Sequence, residues 1–210
     1  MSGGPLSGAP IRIILADDRA FVRGGLAALL AREPDIEVVA EVGRGDELAD
    51  AVARLVPDVC VVDIEMPGGD GITATGRIRE AHPHVRVLIV TTFGRPGYVS
   101  RALEAGAGGF LVKDTPARQL AEAVRRVNAG ETVVDAQLAR ESMAAGPDPL
   151  TPREKDVLRE ALTGARIADI AAELHLTQGT VRNHLSSAIA KTHTSTRGEA
   201  AREAQVRGWL

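Results

Sequence analysis

Asp58-Val59-Cys60-Val61-Val62-Asp63-Ile64-Glu65-Met66-Pro67-Gly68-Gly69-Asp70-Gly71 is the stretch whose reading decides the fold. Val59 to Val62 is short, apolar and largely β-branched, the pattern of a strand buried on both faces. Asp63 stands where the run ends, and Pro-Gly-Gly-Asp-Gly follows as a loop. In an open parallel sheet the carboxyl ends of the strands border the crevice where ligands bind. A lone acid there is equally an ordinary strand end that caps the next element, so the rest of the chain must decide between the two.

Upstream, Ile11 to Ala16 reads as a strand ending at Asp17-Asp18. A helix follows it, with Phe21, Val22, Leu26, Leu29 and Leu30 at helical spacing. Ile36 to Val42 is a second strand and Glu47 to Leu55 a second helix. Downstream, Ile72 to Ala81 is a helix, Val85 to Val90 a strand that runs into Thr91-Thr92, and Pro96 to Ala105 a helix with Gly106 as its C-cap. Gly109 to Val112 is a fifth strand ending at Lys113-Asp114. Thr115-Pro116 caps and starts a fifth helix that reaches Asn128. Five strand–helix units in strict alternation make an α/β domain, a five-stranded parallel sheet doubly wound with helices. Asp17, Asp18, Asp63, Thr91 and Lys113 then share one sheet edge, although the sequence separates them by up to 96 positions.

Those residue types specify a chemistry. Three crowded carboxylates repel one another and call for a cation, and an all-oxygen ligand set with open positions suits Mg²⁺. A carboxylate can attack phosphorus to give an aspartyl phosphate. Lys113 and Thr91 are the groups to hold the phosphoryl oxygens. The Gly68-Gly69-Asp70-Gly71 loop is a turn and not a nucleotide cradle, because no Lys-Ser or Lys-Thr follows it.

Asp17-Asp18, Asp63 with Met66-Pro67-Gly68, Thr91 and Lys113 together resemble the receiver domain of bacterial two-component response regulators, a flavodoxin-like fold, over residues 10 to 131. The resemblance implies that Asp63 takes phosphate from a sensor histidine kinase. It implies that Asp18 and Asp63 ligate Mg²⁺, that Asp17 helps through water, and that Glu65 supplies a backbone carbonyl. It further implies a switch in which Thr91 moves toward the phosphate and Phe110 changes rotamer. Asp114 follows Lys113 where many receivers carry proline, a Lys-Asp pair that a subfamily shares.

Residues 132–147 have no sustained period and end in a Gly/Pro cluster, which reads as a linker with a short helical possibility at Gln137 to Met143. Leu150-Thr151-Pro152-Arg153-Glu154 is a helix start with a capping box. Ile167, Ile170, Ala171 and Leu174 form a helical stripe. After a break at His175-Leu176, Thr177 caps a helix whose Val181, Leu185 and Ile189 face inward. Asn183, Ser186, Ser187 and Ala190 face away, with Arg182 and Lys191 on the flanks. A last helix runs from about Gly198 to Arg207. A helix with a small polar outer face behind a tight turn reads as a helix-turn-helix, or as a plain bundle with a solvated face.

Thr151-Pro152-Arg153-Glu154, Ile167-Ala168-Asp169-Ile170-Ala171 and Gly179-Thr180-Val181-Arg182-Asn183-His184 resemble the LuxR-type DNA-binding domain, over residues 148–210. With the receiver, this is the NarL/FixJ class of response regulators. The implied DNA contacts are Thr180, Arg182, Asn183 and Ser186, with Lys191 beside them. Ser186 and Ser187 stand where relatives carry Lys or His, which implies fewer phosphate contacts and a shallower salt slope. Lys191-Thr192-His193-Thr194 departs from the family's usual turn and leaves the end of that helix open. The run Thr91 to Tyr98 and the ending Arg207-Gly208-Trp209-Leu210 resemble a subgroup that includes regulators of membrane-lipid desaturation.

Composition narrows the setting. The chain has 210 residues, 44% of them hydrophobic but only 2% aromatic, so the cores must be aliphatic. Its single cysteine, Cys60, excludes an internal disulfide and fits a reducing cytoplasm. Residues 1–9 are small and uncharged, a disordered tail rather than a signal peptide, and no run is long enough to span a bilayer. The net charge of −3 divides into −4 over residues 1–146 and +1 over residues 147–210, which permits an anionic partner for the second part. The expected function is a cytoplasmic transcription regulator that phosphorylation turns into a homodimer on two-fold double-stranded DNA. Two rivals stand beside it. One is a phosphatase that turns over an aspartyl phosphate, in which Glu65 would occupy the acid position. The other is a phosphate-independent DNA-binding protein.

Overall fold

The computed structural model describes residues 9–92, 94–145 and 147–210, with Pro96, Ala144 and Ala145 described by backbone alone. The expected tail at residues 1–9 therefore lies outside the described residues except for Ala9. Two compact units result. One comprises the chain up to Gly94 with Val99–Ala139; the other comprises Arg95–Tyr98 with Arg140–Leu210.

The first unit holds β1 (Ile11–Ala16), α1 (Ala20–Leu30), β2 (Ile36–Val42), α2 (Gly45–Leu55), β3 (Val59–Val62), α3 (Gly71–Ala81), β4 (Arg86–Thr91), most of α4 (Pro96–Glu104), β5 (Gly109–Val112) and α5 (Ala117–Asn128). A further strand, β6 (Val133–Val134), and the start of α6 (Ala136–Ala145) complete it. All strand pairs are parallel, in the order β2-β1-β3-β4-β5-β6. The residues are buried on both faces because strand periodicity splits them between two helical layers. Ile13, Leu15, Val59, Val61, Leu88, Val90 and Leu111 pack with Leu120, Val124 and Val127 of α5. Their alternates Ile14, Cys60, Val62, Val87, Ile89 and Phe110 are buried on the opposite face.

Register brings the strand ends level. Ala16 pairs with Val62, and Thr91 pairs with Val112. The ladder continues one residue further: Asp63 N donates to Ala16 O at 2.8 Å, and Lys113 N donates to Thr91 O at 2.8 Å. The backbone alone thus places Asp17 beside Asp63, and Lys113 beside Thr91.

Several details depart from the sequence reading. Within the span read as a linker, 132–147, Val133 and Val134 form a strand that extends the sheet against Gly109 and Phe110, while the short helix expected at Gln137 to Met143 is present as α6. The sheet therefore has six strands among the described residues where five were expected. The residue before Ala117, Pro116, is the N-cap of α5, and Thr115 supplies no side-chain cap. Phe21, placed on the apolar stripe of α1, is 94% exposed.

The second unit contains α7 (Pro152–Leu162), α8 (Ile167–Glu173), α9 (Gln178–Lys191) and α10 (Arg197–Val206). Val157, Leu158, Ile170, Val181, Leu185, Ala188, Ala200, Ala204 and Trp209 form its core. Local capping sets each helix. Thr151 accepts from Glu154 N while Glu154 accepts from Thr151 N. Thr177 Oγ1 accepts from Thr180 N at 3.1 Å, and Thr196 forms a second capping box with Glu199. His175, in the left-handed region at φ 54°, makes the break between α8 and α9. The α9 helix, whose end the sequence left open, stops as Thr192 Oγ1 donates back to Ala188 O and His193 takes φ 54°.

Candidate functional site

Asp63 is 4% exposed and Asp17 is 2% exposed, yet both lie at the sheet edge. Each is held by both carboxylate oxygens. Asp63 Oδ1 accepts from Ile64 N at 2.8 Å, and its Oδ2 receives Lys113 Nζ at 2.6 Å. Asp17 Oδ1 accepts from Arg19 N at 2.9 Å, and its Oδ2 lies 2.5 Å from the same Lys113 ammonium. Arg23 Nη1 donates to the Asp17 carbonyl. Asp18 is exposed at the rim. Ligand oxygens of Asp17, Asp18 and Asp63 all lie within 4.8 Å of one another. Three carboxylates against one ammonium leave two formal negative charges, and only the exposed member is bathed in solvent. That imbalance is what a divalent cation neutralises.

A cavity of about 190 Å³ opens over these acids, lined by Asp18, Arg19, Asp63, Glu65, Thr91 and Thr92. Thr91, 2% exposed, forms its wall; Glu65 is at its rim. Phe110 is fully buried, one strand residue short of Leu111 and three short of Lys113. The loop after Asp63 closes tightly: Gly71 N donates to Ile64 O, and Asp70 caps α3 through Ile72 N and Thr73 N. A Cβ at Gly71 would overlap the carbonyl oxygen of Asp63, so this position needs glycine for close approach and not for its dihedral angles. Cys60 plays no part in the chemistry, since burial pushes its thiol up to about 12.

In the second unit, α9 presents Gln178, Arg182, Asn183, Ser186 and Ala190 to solvent, with Thr180 half-buried. Arg182 Nη2 donates to Gln178 Oε1 at 3.3 Å, one turn back. Ser187 and Lys191 behave otherwise. Ser187 Oγ donates to Glu154 Oε1 at 2.6 Å, and Lys191 Nζ contacts both Glu154 oxygens at 2.8 and 3.0 Å. Helical spacing places Ser187 on the outer face, but it is half-buried against α7. A carboxylate only 3% exposed needs donors, and Ser187 and Lys191 are the ones that reach it.

The chain matches the response regulator receiver domain over residues 13–125 and the luxR family of bacterial regulatory proteins over residues 148–204. It is 40% identical over 200 residues to the uncharacterized transcriptional regulatory protein YvfU of Bacillus subtilis strain 168, a span covering 95% of this chain and 100% of that one. The chain belongs to the LuxR/NarL family of two-component response regulators. It is similarly 39% identical to the transcriptional regulatory protein DesR of the same strain, over 95% and 99% of the two chains. Among solved structures it resembles the response regulator ChrA of a heme-sensing two-component system, at 33% identity and a TM-score of 0.58, over 97% and 100% of the two chains. This response regulator is therefore a transcription regulator with a receiver and a LuxR-type helix-turn-helix, and the phosphatase rival gives way to a family that regulates transcription rather than turning over a substrate.

In this response regulator the sequence foresaw the convergence of Asp17, Asp18, Asp63, Thr91 and Lys113, because strand ends can be read from apolar runs. It did not foresee Glu154 as a buried anchor, because its partner Lys191 lies 37 residues away. Nor did it single out Arg19, whose guanidinium Nη2 donates to Thr92 Oγ1 at 2.5 Å across the cavity.

Proposed function

We infer that this response regulator accepts a phosphoryl group on Asp63 from a sensor histidine kinase in the cytoplasm. Phosphorylation then shifts a pre-existing receiver equilibrium toward a homodimer that binds a two-fold DNA site. The observation that carries the reading is the Lys113 ammonium lying within 2.6 Å of both Asp63 and Asp17, all three side chains nearly out of water, beside the open cavity that Asp63 and Asp18 line. An oxygen of Asp63 attacks phosphorus as the bond from phosphorus to the donor's imidazole nitrogen breaks, and the electron pair leaves with the imidazole. Lys113 holds the phosphoryl oxygens, and Thr91 donates to one of them after moving inward. Phe110 follows that movement by changing rotamer. Asp18, Asp63 and the Glu65 carbonyl, with Asp17 through water, would hold Mg²⁺, which when bound would supply charge neutralisation for the incoming anion. No helix among the described residues is long and apolar enough to cross a membrane.

We assign residues 10–131 to the receiver, 132–147 to the join and 148–210 to DNA binding. Thr180, Arg182, Asn183 and Ser186 are the DNA-facing set, with Arg182 suited to a guanine edge or a phosphate and Asn183 to adenine. Lys191 is assigned to holding Glu154. Intact-mass measurement after incubation with acetyl phosphate and Mg²⁺ tests the phosphoacceptor. The wild type gains one phosphoryl group and Asp63→Asn gains none; equal uptake by both would overturn the assignment.

A further inference from the structure

We propose that Arg19 and Thr92 form a hydrogen-bonded bridge over the mouth of the Asp63 cavity that sets how long the aspartyl phosphate survives. The inference deepens the reading of Asp63 as phosphoacceptor and rests on it. Arg19 belongs to the turn between β1 and α1, and Thr92 follows the last residue of β4. These two segments approach the cavity from different strands, and the guanidinium spans them, Nη2 donating to Thr92 Oγ1 at 2.5 Å. Both residues are exposed, whereas Asp63 and Thr91 in the same cavity are buried, so the bridge lies on the solvent side of the acid.

Position gives the bridge its consequence. Hydrolysis of the aspartyl phosphate is an in-line displacement. A water oxygen forms the new bond to phosphorus on the side opposite Asp63 while the bond from phosphorus to the Asp63 oxygen breaks. The electron pair of that bond returns to the Asp63 carboxylate, and both protons of the water stay with the released phosphate. The attacking water must arrive from the side facing away from a buried acid, which is the side Arg19 and Thr92 cross. A planar guanidinium held to Thr92 by this hydrogen bond obstructs that approach and leaves the Lys113 side of the phosphoryl group untouched. Arg19 is thus a positioning residue. Its backbone N–H, which donates to Asp17 Oδ1, survives any side-chain substitution.

The test uses the full chain, phosphorylated with acetyl phosphate and Mg²⁺, freed of donor and followed by phosphate-affinity electrophoresis. Arg19→Ala and Thr92→Val should each shorten the phosphoryl half-life by about fivefold or more, the rate equivalent of roughly 1 kcal/mol. The double variant should decay no faster than either single one, since both changes remove the same bridge. Arg19→Lys should recover part of the lifetime. Thermal unfolding of the unphosphorylated variants should match the wild type. Half-lives unchanged or lengthened in the single variants, or multiplied in the double, overturn the bridge. A wild type that takes no phosphoryl group, like Asp63→Asn, overturns the Asp63 reading itself, and the two failures are told apart on the first gel.

Discussion

At the scale of single residues, the receiver pocket is a problem of charge. Lys113 is the one cation shared by two acids that are almost wholly out of water. Leaving buried charge unpaired is costlier than never having buried it. Lys113→Met should therefore cost about 3 kcal/mol of stability at neutral pH in the absence of divalent cation. Millimolar Mg²⁺ should restore part of it by replacing the lost positive charge. Urea unfolding followed by far-UV circular dichroism, with and without Mg²⁺, checks both halves; a variant as stable as wild type without metal would show that the acids do not depend on Lys113. Gly71 is a constraint of another kind. Gly71→Ala pushes a methyl group into the Asp63 carbonyl and should cost about 1–3 kcal/mol while slowing phosphoryl uptake. The identities of Asp17, Asp18, Asp63, Thr91 and Lys113 could be read from strand ends alone. The Gly71 requirement could not, because the loop composition marks a turn without saying which backbone atom the turn must graze.

At the scale of elements, the register of β1 with β3 and of β4 with β5 makes the site, and the Glu154 network ties α7 to α9. Burial works against the charge on Glu154. Donors from Lys191, Ser187 and Thr151 more than offset it and hold the carboxyl at about 2 against an ordinary 4.5. Because the folded value lies below the unfolded one, the stabilisation is complete above about pH 4.5 and is lost as the pH falls toward 2. The full loss is on the order of 3 kcal/mol. Trp209 is the only tryptophan and is buried in the α7–α10 core, so its fluorescence reports on this unit. Urea midpoints read from Trp209 should fall between pH 5 and pH 3 in the wild type and change less in Glu154→Gln; parallel curves for the two proteins would remove Glu154 from the account. Helix starts at Thr151 and Thr177 were legible because caps are local. The tie from α7 to α9 was not, since a Glu in a capping box looks the same whether or not a lysine from another helix also reaches it. The strand Val133–Val134 escaped for a similar reason: two residues have no periodicity, and only the neighbouring β5 edge makes them a strand.

At the scale of the whole molecule, a mildly acidic receiver is joined in one chain to a near-neutral DNA reader. The exposed α9 face carries one charged side chain, Arg182, beside the neutral amide of Asn183, so on the proposed contact set affinity for DNA is expected to rest on base contacts more than on phosphate neutralisation. Arg182→Ala and Asn183→Ala should each cost about 1–3 kcal/mol on a selected DNA site, while Lys191→Ala should lower the stability of the α7–α10 unit. Fluorescence anisotropy at two salt concentrations separates these effects. The most direct test of the central claim is a ratio. A single preparation is bound to DNA fragments selected from its own genome, with and without acetyl phosphate and Mg²⁺. The wild type should bind about tenfold more tightly with the donor, the equivalent of roughly 1.4 kcal/mol, and Asp63→Asn should show a ratio of one. A ratio of one in the wild type would contradict the account and leave a DNA-binding protein indifferent to its own acidic pocket.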